Sequence, residues 1–164
     1  MKFLPVIAVT SIVVLFAETL PIPKWIDPSL KACESNGGSI NDGYCDASFY
    51  NAQKICEADG YILPTIETFK ATSERCSAKA YDEYSNTFTP LQATEIRRKN
   101  RNNDAYRNCV EELGFDRLFL YVSATKKPDW DWQKLKRDVV LHDFSSAYSI
   151  TLAYTDKAHV RCIE

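Results

Sequence analysis

Six cysteines follow an apolar leader in a chain of 164 residues, and that combination constrains the fold more than any other feature. They are Cys33, Cys45, Cys56, Cys76, Cys109 and Cys162. An even cysteine count in an exported chain implies a disulfide framework. Structural zinc would need thiolates paired at C-x-x-C spacing. The gaps here are far longer, and His142 and His159 stand alone, so no metal site and no cofactor are expected. Six cysteines allow fifteen pairings, and spacing alone does not choose among them.

Export is read from residues 1–17. Lys2 precedes the apolar run 3–17, which is the layout of a secretory signal peptide. The run is shorter than the roughly 20 apolar residues of a membrane-spanning helix. The reading taken is a cleaved signal, with an uncleaved N-terminal anchor as the alternative. Either places the remainder across a membrane, in the periplasm, secreted or at the cell surface. Contact with a membrane is expected only through an uncleaved leader. A formal net charge of −2 argues against a nucleic-acid binder driven by bulk charge.

Residues 18–32 carry Pro21, Pro23 and Pro28 and read as an extended linker that Trp25 could dock. Gly37-Gly38 and Asn41-Asp42-Gly43 lie between Cys33 and Cys45, so a hairpin stapled by those two cysteines is natural. A helix follows, capped by Asp46 or Ser48, with Phe49, Ala52, Ile55 and Cys56 at helical spacing and Gly60 ending it. Ile62-Leu63-Pro64 is extended, and Thr65 caps a second helix running from Ile66 to about Arg75. Residues 81–86 read as loop. Thr89-Pro90 opens further helix, interrupted near Asn100 to Asn103 and stopped at Gly114. The last third is strand-like: 118–122, 138–144, 148–154 and 159–163. Helices followed by a small antiparallel sheet define an α+β domain.

Two pieces of the chain together carry a family resemblance. The first is the helix containing Cys56, the turn Leu63-Pro64-Thr65 and the next helix. The second is the ending Val160-Arg161-Cys162-Ile163. Between them, Tyr121-Val122-Ser123-Ala124-Thr125 is similar to an aromatic-Trp-Ser-Ser-Thr strand end. The pattern resembles the Lcl C-terminal domain family of bacterial collagen-like adhesins. That family has a C-type-lectin-like fold, related in architecture to formylglycine-generating enzymes. The resemblance implies such a domain over residues 33–164, with a helical insertion at about 77–114. It also implies that Cys56 meets Cys162, closing a loop of about a hundred residues worth roughly 4–5 kcal/mol on the chain-entropy model. With Cys33–Cys45 stapling the hairpin, it leaves Cys76 to Cys109.

Nothing in the sequence points to catalysis. Nucleophile-elbow, zincin, P-loop and dinucleotide motifs are all missing. His142 and Asp143 are neighbours on a strand and point to opposite faces, so they form no dyad. Both histidines are expected at the surface or partly packed. Calcium would want six to eight oxygens, and the one candidate loop offers the carboxylates of Asp129 and Asp131.

That loop is nevertheless the leading recognition candidate: Lys126, Lys127, Asp129, Trp130, Asp131 and Trp132. It joins two strands where lectin-like folds carry their long binding loop, and exposed tryptophans stack on sugar rings or anchor protein partners. A secondary basic patch comprises Arg97, Arg98, Lys99 and Arg101, which would suit an anionic glycan or a lipid headgroup. Its plain alternative is a solvated helix face. The function expected is therefore non-catalytic binding of a glycan or protein partner at the bacterial envelope. A structural envelope-assembly subunit is one alternative, and a divergent formylglycine-generating-type oxidase is another.

Overall fold

The computed structural model describes residues 22–82, 88–126, 139–153 and 155–164. The expected signal peptide lies outside them, as do Lys127, Asp129, Trp130, Asp131 and Trp132. Among the described residues, no helix is long and apolar enough to cross a membrane.

The chain is α+β. In order it forms β1 (Trp25–Ile26), α1 (Leu30–Ser35), β2 (Ser39–Asn41), β3 (Tyr44–Ala47), α2 (Phe49–Ala58) and α3 (Ile66–Arg75). There follow β4 (Tyr81–Asp82), α4 (Pro90–Arg101), α5 (Asp104–Glu112), β5 (Leu120–Lys126), β6 (Val139–Asp143), β7 (Tyr148–Leu152), β8 (Ala158–His159) and β9 (Cys162–Ile163). Local chemistry accounts for the helix ends. Thr65 accepts from the Thr68 amide at the start of α3, and Thr89 and Gln92 form a reciprocal capping box with Pro90 in the first turn of α4. Gly60 and Gly114 take φ near +80° just past α2 and α5, which a side chain would resist.

Seven strands form the main sheet in the order β2-β3-β8-β5-β6-β7-β4. The expected antiparallel meander is present as β5-β6-β7, but β5 pairs with β8 in parallel and β4 pairs with β7 in parallel. The sheet is therefore mixed. Parallel pairing needs crossovers, and the helical region between β4 and β5 supplies one.

Strand parity divides the core. Val122, Leu141 and Ile150 face one side with Phe49, Ala52, Ile55 and Cys56 of α2. Tyr121, Val140 and Phe144 face the other with Ile66 and Phe69 of α3 and Tyr106 and Val110 of α5. Helices thus cover both faces. That explains why Val139 to His142 of β6 are all buried, as a strand covered on both sides must be.

Three disulfides join Cys33 to Cys45, Cys56 to Cys162 and Cys76 to Cys109, and no described cysteine is free. They fit an oxidising compartment. The hairpin staple differs from expectation in one respect. Cys33 sits in α1, so the bond ties a helix to β3 and does not cross the β2–β3 ladder. Residues 22–32, read as linker, also do more than span. Trp25 stacks on Phe69 at 5.1 Å and meets Phe115 edge-on at 4.8 Å, while β1 pairs with β9. The extended conformation favoured by the flanking prolines lets the indole dock against two phenylalanines. Tyr81–Asp82, expected as loop, forms the edge strand β4.

Candidate functional site

Both histidines are buried, not superficial. His142 is completely enclosed, with Nε2 2.8 Å from Ser73 Oγ and Nδ1 3.0 Å from Ser149 Oγ. Tyr106 Oη lies 3.4 Å from the same Ser73 hydroxyl. Burial, helped by the Lys70 charge, pushes the imidazole down to about 3, so it stays neutral. A serine beside a neutral histidine is nucleophile–base chemistry in type, but this pair is sealed beneath α3. It satisfies buried polar groups. Nothing local in the sequence signals the contact, because Ser73 and His142 are 69 residues apart and meet only when α3 packs on β6. His159 meets Asp46 across the β3–β8 pairing and stacks on Phe119 at 3.8 Å. Among the described residues, no cluster of three or more His, Cys, Asp or Glu side chains could hold a metal ion.

The loop expected to carry recognition leaves the sheet at Lys126, the last residue of β5, which pairs with Val139 of β6. Lys126 Nζ stands 5.2 Å from the Phe49 ring and 5.3 Å from the Tyr50 ring. The turn Leu63-Pro64-Thr65 is bound to the same strand. Ala124 donates to the Pro64 carbonyl at 2.7 Å, and Ile66 donates to Thr125 Oγ1 at 2.9 Å.

The basic patch is split by the helix that carries it. Lys99 pairs with Glu95 at 2.9 Å and lines one flank of α4 with Lys79, Phe88 and Ile96. Arg97, Arg98 and Arg101 line the other flank, in a groove of about 450 Å³ with Thr94 and Asn102. Arg97 and Thr94 also border an adjoining cleft of about 360 Å³, closed by Tyr81, Asp82, Phe88 and Tyr148. The groove is held rigidly. Asn100, on the inner face of α4, donates to the carbonyls of Lys79 at 2.9 Å and Ser146 at 2.8 Å, and accepts from the Lys79 amide at 3.1 Å.

An aromatic stack fixes the innermost cation. The Arg97 guanidinium lies 4.9 Å above Tyr148, Tyr148 stacks on Tyr81 at 4.6 Å, and Tyr81 meets Phe88 edge-on. The Tyr81 side chain is buried, and its hydroxyl has no hydrogen-bond partner among the described residues. Burial raises its pKa to about 12, so it remains a donor. Tyr81, Phe88 and Tyr148 were not singled out in the sequence. Only the parallel pairing of β4 with β7 brings them beside α4.

The base of the loop and the groove are separate places. Lys126 pairs with Val139, which pairs with Leu152 at one end of β7, whereas Tyr148 occupies the other end. No protein-family model matches the chain, and no curated protein matches it.

Proposed function

We propose that this chain is an exported bacterial binding domain of C-type-lectin-like type, periplasmic or at the cell surface, that recognises a glycan or protein partner and performs no chemistry itself. The observation that carries the reading is that the segments bearing the family resemblance are physically joined. The Leu63-Pro64-Thr65 turn accepts from Ala124 through Pro64, Ile66 just after it donates to Thr125, Ile62 bridges Ile163, and α2 is tied to the final strand through Cys56 and Cys162. That frame holds the base of the loop carrying Trp130 and Trp132 between two central strands, a fixed platform suited to recognition. With all six cysteines in disulfides, the oxidase alternative has no thiolate to work with.

A glycan array probed with the oxidised protein tests this. Specific retention that is lost in the Trp130→Ala plus Trp132→Ala variant is the expected result. Retention indifferent to that change removes the loop from the proposal. The envelope-assembly alternative draws on the exposed side chains Ile62, Leu91 and Leu118. Recovery of the chain always with one protein and never on a glycan would favour it.

A further inference from the structure

Among the described residues, the groove on α4 carries three cations with no acidic partner. Arg97, Arg98 and Arg101 make no ion pair among the described residues, while Lys99 on the opposite flank is neutralised by Glu95. Basic side chains in a last helical turn ordinarily offset the helix dipole. Two features here go beyond that. Arg97 is immobilised on Tyr148 and not left free in solvent, and its Nε is buried without a hydrogen-bond partner among the described residues. The Tyr81 hydroxyl in the adjoining cleft is a second buried donor lacking an acceptor among those residues. Buried donors are normally satisfied, so a paired absence beside a cation cluster marks a place for bound oxygen atoms.

We propose that this groove is an anion subsite for an acidic saccharide, with a sulfate or carboxylate held by Arg97, Arg98 and Arg101 and an adjacent sugar oxygen accepting from Tyr81. Guanidinium forks match such oxyanions in two-point contacts that a lysine cannot reproduce. The rigid setting lowers the ordering cost of binding. The site rests on the reading of the domain as an exported binding module, but it lies at the other end of β7 from Leu152, where Lys126 and Val139 form the base of the tryptophan loop.

The test uses the oxidised, leader-free protein at about 0.15 M salt, where weak surface attraction is screened. Calorimetry would compare a sulfated heparin-derived hexasaccharide, a polygalacturonate hexamer, a neutral cello-oligosaccharide and phosphatidylglycerol vesicles. We expect binding to one or both acidic saccharides and none to the neutral one. The exposed pair R98Q plus R101Q should weaken binding about tenfold or more, as loss of charge-assisted hydrogen bonds implies. R98K plus R101K should recover only part of it. K99Q should change it less than twofold. Y81F, which keeps the ring stack, should weaken binding severalfold with unchanged near-ultraviolet circular dichroism. Equal losses in K99Q and R98Q plus R101Q, binding to vesicles alone, or no binding to either acidic saccharide would each overturn the subsite. A loop variant, W130A plus W132A, that still binds the acidic saccharide would strike at the proposed recognition loop and leave the groove standing. Groove variants without effect on a ligand that the loop variant loses would do the reverse.

Discussion

Ser73 Oγ and His142 Nε2 lie 2.8 Å apart, joining α3 to β6 in a fully buried contact. The imidazole has its pKa lowered to about 3 by burial, against an ordinary value of 6.5. Above pH 6.5 both folded and unfolded chains carry it neutral, and its contribution is complete. As pH falls from about 6.5 toward 3, the unfolded chain takes up a proton that the fold refuses. Stability should then drop by about 1.4 kcal/mol per pH unit. Urea midpoints measured at pH 7, 5.5 and 4.5 check this. His142→Gln should flatten that part of the profile.

The disulfides should differ in weight. Replacing Cys56 and Cys162 by Ala opens a loop of 106 residues and should cost about 4–5 kcal/mol on the chain-entropy model, whereas the 12-residue span between Cys33 and Cys45 is worth about 3 kcal/mol. Denaturant unfolding of the two double variants without reductant gives the comparison. A similar loss from both would show that loop closure does not govern their weights.

How much of this was legible in advance depended on the range of the interactions involved. Thr65 before Ile66, and Thr89 ahead of Pro90, announce helix starts because capping is settled within four residues. The two-sided burial of β6 was not legible. Alternation in Val139 to Asp143 is masked once helices cover both faces, so His142 reads as a surface or partly packed residue. Likewise, Arg97, Arg98 and Arg101 stand out in sequence as a charge run. Their neighbours Tyr81 and Tyr148 lie 67 positions apart and meet only through a parallel edge strand. The sequence groups Lys99 with the three arginines, and only the structure shows it on the other flank of α4, paired with Glu95.

Two glycines should respond unequally to alanine. A Cβ on Gly38 would come within 2.5 Å of Cys33 Sγ and 2.9 Å of the Cys33 carbonyl oxygen. Neither can retreat without moving α1, so Gly38→Ala should cost about 2–3 kcal/mol. Gly43, at φ +87° with open space around it, meets only backbone strain, and Gly43→Ala should cost about 1–2 kcal/mol. Thermal unfolding of both variants separates crowding from conformational strain.

Arg161 should be irreplaceable by lysine. Its guanidinium donates to the carbonyls of Leu113 and Gly114 beyond α5, lies 2.9 Å from Asp27 and covers the Phe115 ring at 4.9 Å. An ammonium cannot make those contacts together. Arg161→Lys should lose about 1–3 kcal/mol, measured by denaturant unfolding. Arg161→Met, which keeps bulk but leaves both carbonyls without that donor, should lose at least as much.

The pairing of Trp25 with Ile163 gives the molecule a mechanical character. Whatever is fastened ahead of Trp25 pulls on a strand whose neighbour is anchored to α2 by Cys56–Cys162. A load applied there passes through the β1–β9 hydrogen bonds to a strand that is itself covalently tied to α2.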